Sequence, residues 1–193
     1  MAQPAALCRQ ATKNPLFTGT ALAMKGTVIL SHGLESGPQA TKVSALAKVA
    51  ERLDWASVRP DYRSIDALAD ARAIDSRIQH AIAQTPERGR IVFAGSSMGA
   101  FVSGFASLAR SCEGLFLLAL PVHIGGYPKR FTAARVPTVL IHGWDDEICP
   151  VESTIAFARE RRDSLHLVAD DHRLGKHVEY CAIVFERFLM SIT

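Results

Sequence analysis

The sequence predicts an α/β fold: a mostly parallel sheet flanked by helices on both faces, built as one domain. Three observations predict it. Short apolar runs alternate along the chain with longer segments of helical period. The runs are continuous rather than alternating, which is the pattern of strands buried on both faces. The chain has 193 residues, 48% of them hydrophobic, enough for one substantial core. Strands joined through helices imply right-handed crossovers and a layered architecture.

In chain order, residues 1–25 carry neither pattern and are expected to form a loosely ordered N-terminal arm, with the domain spanning 26–193. The strand runs are 27–30, 91–94, 115–120, 138–141 and 165–168, with a weaker one near 56–59. Val43, Leu46, Ala47, Ala50 and Leu53 step by three and four, as one face of a helix does. So do Leu68, Ala71, Ile74, Ile78, Ala81 and Ile82. At the other end Val178, Cys181, Ala182, Phe185, Phe188, Leu189 and Ile192 form a third apolar stripe. Pro121, Gly125, Gly126 and Pro128 mark residues 121–136 as a loop.

Composition excludes several function classes. The net charge is only +3, and the basic residues are interleaved with acids, as over residues 159–163. Nucleic-acid binding asks for a clustered basic face, so no nucleic-acid partner is expected. Cys8, Cys112, Cys149 and Cys181 are far apart and form no C-x-x-C pair. They read as reduced thiols of a cytoplasmic protein, without a metal knuckle. No apolar run reaches the roughly 18–20 residues that cross a bilayer, so no membrane partner is expected either. Residues 1–34 hold Arg9, Lys13 and Lys25 and no acid, but they are too poor in Ser and Arg for a transit peptide.

In a parallel α/β sheet, ligands bind beyond the carboxyl ends of the strands. After the run 91–94 comes Gly95-Ser96-Ser97-Met98-Gly99, then a helical segment. This G-x-S-x-G spacing places a serine on a sharp strand-to-helix turn, with very small residues two before and two after to avoid clashes. Ser97 is therefore the candidate nucleophile. A phosphate cradle is the other glycine-loop option, but no Gly-Lys-Ser/Thr follows and no G-x-G-x-x-G occurs.

A serine hydroxyl needs a base, and the base needs an orienting acid. Behind such a turn the partners follow in the order Ser, Asp or Glu, His. Asp145, Asp146 and Glu147 compete for the acid on the loop after 138–141. His172, on the loop after the last strand, fits the base, with His177 as its rival. His32 and His142 end strands and read as structural hydrogen-bonders, while His80 reads as an exposed helix residue. The oxyanion needs backbone donors. Met98 N–H is one, and the turn Ser31-His32-Gly33-Leu34-Glu35-Ser36-Gly37 supplies the other, at Leu34 or failing that Gly33.

Taken together, His32-Gly33-Leu34, Gly95-Ser96-Ser97-Met98-Gly99, His142-Gly143-Trp144-Asp145-Asp146-Glu147-Ile148-Cys149-Pro150 and Asp171-His172-Arg173-Leu174 resemble the α/β-hydrolase superfamily in content and order. The third resembles the family's H-G-x-x-D-x-x-x-P loop, which puts the acid at Asp146. The fourth, with Ser36-Gly37-Pro38-Gln39-Ala40-Thr41-Lys42, resembles small intracellular esterases and thioesterases and puts the base at His172. The resemblance spans residues 26–193 and departs from the family in two ways. Residues 1–25 offer no counterpart to the usual leading antiparallel strands. Residues 121–136 are too short for a cap, which leaves an open site lined in part by His123, Ile124, Tyr127 and Phe131.

The implied function is hydrolysis of a small carboxylic ester or thioester through an acyl-serine intermediate, with no metal and no organic cofactor. Two alternatives use the same residues: a catalytically silent binding protein, and an acyltransferase or perhydrolase.

Overall fold

Each apolar run forms a strand, and the strands join in one sheet. The structure, a computed structural model, describes residues 24–67 and 73–192. In chain order these are β1 (Gly26–Ser31), α1 (Thr41–Arg52), β2 (Trp55–Val58), α2 (Arg63–Asp66), α3 (Ala73–Ala83), β3 (Ile91–Ser96) and α4 (Met98–Ala109), followed by β4 (Gly114–Leu118), β5 (Thr138–Gly143), α5 (Val151–Arg161), β6 (Ser164–Val168) and α6 (Val178–Ser191). A single 3₁₀ turn, Gly175–His177, leads into α6. The expected arm falls on residues 1–25, of which 1–23 lie outside the described residues, as do Leu68 and Ala71 of the second helical stripe.

The sheet has six strands in the order β2-β1-β3-β4-β5-β6, and every pairing among the described residues is parallel. Side chains alternate between the faces of a strand, so each continuous run feeds two cores. Val28, Leu30, Val92, Ala94, Phe116, Leu118 and Ile141 pack on one side against α1 and α6. Ile29, Ile91, Phe93, Leu115, Leu117 and Leu140 pack on the other against α3, α4 and α5. The weak run near 56–59 is the edge strand β2, paired only with β1. The run expected over 115–120 stops at Leu118, because Ala119 turns to φ 46° as the chain leaves the sheet. Residues 119–137 then form neither helix nor strand, so no cap covers the sheet's rim among the described residues. No helix among the described residues is long and apolar enough to cross a membrane.

Parallel strands carry all their carboxyl ends to one rim. In register, Ser31 lies beside Gly95, Ser96 beside Leu118, and Gly143 beside Val168. The loops after β1, β3, β5 and β6 therefore open together. Two glycines permit the closest approach there. A Cβ on Gly95 would collide with the Gly99 carbonyl, and one on Gly99 with the Ser31 carbonyl. Neither backbone can yield, so Gly99→Ala is expected to cost about 1–3 kcal/mol, the usual range for overpacking. A denaturation midpoint equal to wild type would show that β1 and α4 do not need this contact.

Candidate active site

Ser97 occupies the single residue between β3 and α4, with φ 55° and ψ −124°. A side chain in that region costs on the order of 1–3 kcal/mol and persists only when its surroundings enforce it. The enforcement is visible. Ser97 N–H donates to the Leu118 carbonyl at 2.8 Å, and the Ser97 carbonyl accepts from Ala100 N–H at 2.8 Å and Phe101 N–H at 3.2 Å. The turn is thus pinned to β4 on one side and to the first turn of α4 on the other.

His172 lies on the loop between β6 and α6. Its Nε2 is 2.8 Å from Ser97 Oγ, and its Nδ1 lies 2.8 and 3.0 Å from the two Asp146 oxygens. A carboxylate only accepts, so the ring carries its proton on Nδ1, and the Ser97 hydroxyl donates to Nε2. The loop is locked from within. Buried Asp170 accepts from Asp171 N–H, Lys176 N–H and His177 Nδ1, each at 2.9 Å. The rival histidine, His177, is thereby committed to Asp170. Lys42 Nζ, on the first turn of α1, donates to the Arg173 carbonyl and ties the loop to α1.

Among the three competing acids, Asp145 and Glu147 are exposed and Asp146 is buried. Asp146 also accepts Ile148 N–H at 3.0 Å and Cys149 N–H at 2.8 Å. His142 Nε2, wholly buried, lies 3.1 Å from its other oxygen and 2.8 Å from the Cys149 carbonyl. Both neighbours are acceptors, so that nitrogen carries a proton, and burial holds the His142 pKa below the ordinary imidazole range. His142 is therefore a neutral donor that helps to fix the carboxylate aimed at His172.

The β1–α1 turn is built around a buried cation that the sequence analysis did not single out. Arg77 of α3 is 1% exposed. It pairs with Asp66 at 2.6 and 2.8 Å and stacks 4.5 Å above the Tyr62 ring. It also donates to the His32 carbonyl at 3.3 Å and the Gly33 carbonyl at 3.2 Å. The His32 ring closes the same turn. Its Nδ1–H donates to the Gly33 carbonyl at 2.8 Å, and its Nε2 accepts Tyr62 N–H at 3.0 Å. Burial lowers the pKa of this ring too, in keeping with its neutral role.

These bonds orient the Leu34 amide. Across a trans peptide the carbonyl and the next N–H point in opposite directions. With the Gly33 carbonyl held by Arg77 and His32, the Leu34 N–H faces the other way, and it has no backbone acceptor among the described residues. Met98 N–H is the first of α4, and the first four amides of a helix lack an intrahelical partner. Leu34, Met98, Ser97 and His172 all line one cleft of about 890 Å³.

The cleft wall includes His123 and Ile124 but not Tyr127 or Phe131. Tyr127 is 3% and Phe131 is 6% exposed. Both rings pack on Phe101 and Phe105 of α4, and the Tyr127 hydroxyl donates to Asp75 at 2.6 Å. A capless loop must cover the apolar back of α4, and these two aromatics do so. His80, expected to be exposed, is half-buried with its ring edge-on to Tyr62 at 5.8 Å. Three residues bring possible metal-ligand atoms within 4.8 Å of one another: Asp146, Cys149 and His172. Burial and the nearby Asp146 push the Cys149 thiol up to about 12, so it is protonated at neutral pH. Both nitrogens of His172 are already engaged.

No family model matches the chain, and no curated protein does. Solved structures do. The chain is similar, at 40% identity, to a protein from Xanthomonas campestris pv. campestris assigned to the hydrolases of the alpha/beta superfamily. The match covers 86% of this chain and 99% of that one, with a TM-score of 0.81. It is also similar in fold to a lidless serine hydrolase from Xanthomonas campestris, at 20% identity over 90% of this chain and 84% of that one, TM-score 0.66. The esterase PE8 matches at 20% identity over 89% and 94% of the two chains, TM-score 0.64.

Proposed function

Because the chain belongs to the α/β-hydrolase superfamily, we propose that it is a serine hydrolase cleaving carboxylic esters or thioesters through an acyl-Ser97 intermediate. One observation carries this reading: His172 bridges Ser97 Oγ at 2.8 Å and Asp146 at 2.8 Å, while Ser97 stands on a strained turn at an open cleft.

In the first half-reaction His172 Nε2 takes the Ser97 proton as Oγ attacks the substrate carbonyl. Asp146 holds the ring in the tautomer that frees Nε2 and stabilises the imidazolium that forms. The Leu34 and Met98 amides receive the oxyanion. One well-placed donor of this kind contributes about 10²–10³ in rate. The imidazolium then protonates the departing alcohol or thiol, leaving acyl-Ser97. In the second half-reaction His172 activates water, which releases the acid and restores the hydroxyl. The partner is a small-molecule ester or thioester, approached through the side walled by His123 and Ile124. Three free cysteines at Cys112, Cys149 and Cys181 support a cytoplasmic placement.

A fluorophosphonate probe tests the reading directly. Stoichiometric labelling, mapped by peptide mass to Ser97 and abolished in His172→Gln, is the expected result. A folded wild-type protein that stays unlabelled would instead be a binding protein on a silent hydrolase scaffold.

A further inference from the structure

The wall of the cleft that carries His172 also carries two cations with no carboxylate partner. Lys42 and Arg173 both line it. Lys42 is bound through Nζ to the Arg173 carbonyl, so the ammonium stands against the His172 loop rather than trailing in solvent. Arg173 follows His172 directly in the chain, which places its backbone about 3.8 Å from that of the base. Among the described residues neither side chain forms an ion pair, whereas Arg77, Arg63 and Arg161 all do. The single carboxylate in the cleft lining, Glu35, stands exposed in the β1–α1 turn and pairs with neither.

Partial burial lowers the Lys42 pKa although Asp171 and Asp170 of the same loop act to raise it, so the ammonium has lost water while forming no direct ion pair with either carboxylate. An ammonium in that condition gains most from a bound anion. Apolar side chains also line the cleft, Leu34, Met98, Pro121, Ile124, Ile148 and Val178 among them, interspersed with the polar Ser36, Thr41 and His123. The cleft therefore offers apolar surface for hydrocarbon together with two cations, one of them next in the chain to His172.

We infer that the preferred substrate is an ester or thioester carrying an anionic group, a carboxylate or phosphate, which Lys42 and Arg173 hold beside His172. The inference rests on the serine-hydrolase reading above and specifies its substrate. Exposure of Arg173 leaves room for the anion at the cleft mouth, so it can belong to either half of the ester.

The test compares matched esters. Mono-4-nitrophenyl adipate against 4-nitrophenyl hexanoate places the charge on the acyl side. The pair 4-acetoxy-3-nitrobenzoate and 2-nitrophenyl acetate places it on the leaving group. In wild type, kcat/KM for the anionic member of one pair should exceed that of its neutral partner. The ratio should fall by about tenfold or more in Lys42→Met and Arg173→Gln, invert in Arg173→Glu, and shrink as salt rises. The pair that responds identifies the half of the substrate that bears the charge. Neutral esters turned over at least as well as anionic ones, or a ratio indifferent to all three variants, would overturn the inference and leave the serine-hydrolase reading standing. No turnover of either member of either pair would bring down both.

Discussion

Ser97→Ala is expected to lower ester turnover by a factor on the order of 10³–10⁶, the range seen when a serine nucleophile is removed from a cooperating set. The size follows from the arrangement. The alanine variant keeps the cleft, the Leu34 and Met98 amides and the His172–Asp146 pair, so it retains binding and oxyanion stabilisation but has no atom to acylate. His172→Gln should lose a similar factor. The double variant should lose little more than either single one, because the two residues act as a unit. The fold should survive, since Ser97 contributes no side-chain contact to either hydrophobic core and alanine keeps the Cβ, so the backbone strain at this position is unchanged. Steady-state kinetics on 4-nitrophenyl esters, with denaturation midpoints beside them, make the check. Activity within tenfold of wild type in a preparation free of wild-type enzyme would remove Ser97 from the mechanism.

Arg77→Met is expected to cost about 3 kcal/mol of stability, the lower end for breaking a buried ion pair, since Asp66 keeps some contact with water. It should also lower kcat by about 10²-fold, the effect of misplacing one oxyanion donor. The two losses have different origins and separate in a second variant. Arg77→Met with Asp66→Asn removes the uncompensated carboxylate and should recover part of the stability. It cannot recover the activity, because the His32 carbonyl has then lost its Arg77 donor and the Gly33 carbonyl keeps only the His32 ring. Restored kcat in the double variant would show that Arg77 serves only the fold. A rise in KM at constant kcat would equally count against it as a positioning residue, because a donor that acts on the oxyanion is felt in the transition state.

The serine turn was legible because its requirements are local: five consecutive residues, small at both ends, between a strand and a helix. The sheet's buried strands were legible for a similar reason, as each run announces burial on both faces. Arg77 was not singled out, although its signal lies in the sequence. It falls within the apolar stripe of α3, one step from Ile74 and Ala81, where a charge must be paired to be buried. What it pairs with could not be read, since Asp66 and the carbonyls of residues 32 and 33 are brought to it only by the folded α2 and β1. Tyr127 erred in the opposite direction. An aromatic in a short loop beside the site looks like substrate lining, but α4 presents Phe101 and Phe105 on the same side, and covering them excludes more water than facing the cleft would.

The sequence by itself determined the layered α/β class, the strand runs, the serine at the turn and the chain order of its partners, because each depends on periodicity or on contacts within a few residues. Among three neighbouring carboxylates the residue pattern left a choice that only the resemblance narrowed to Asp146. Tertiary structure alone decided which way the Gly33–Leu34 peptide turns and that Lys42 meets the loop of Arg173 from 131 positions away. Those outcomes are set by hydrogen bonds between segments distant along the chain. Such bonds leave no local pattern, since each partner taken alone is an ordinary polar residue and only the fold makes it a neighbour.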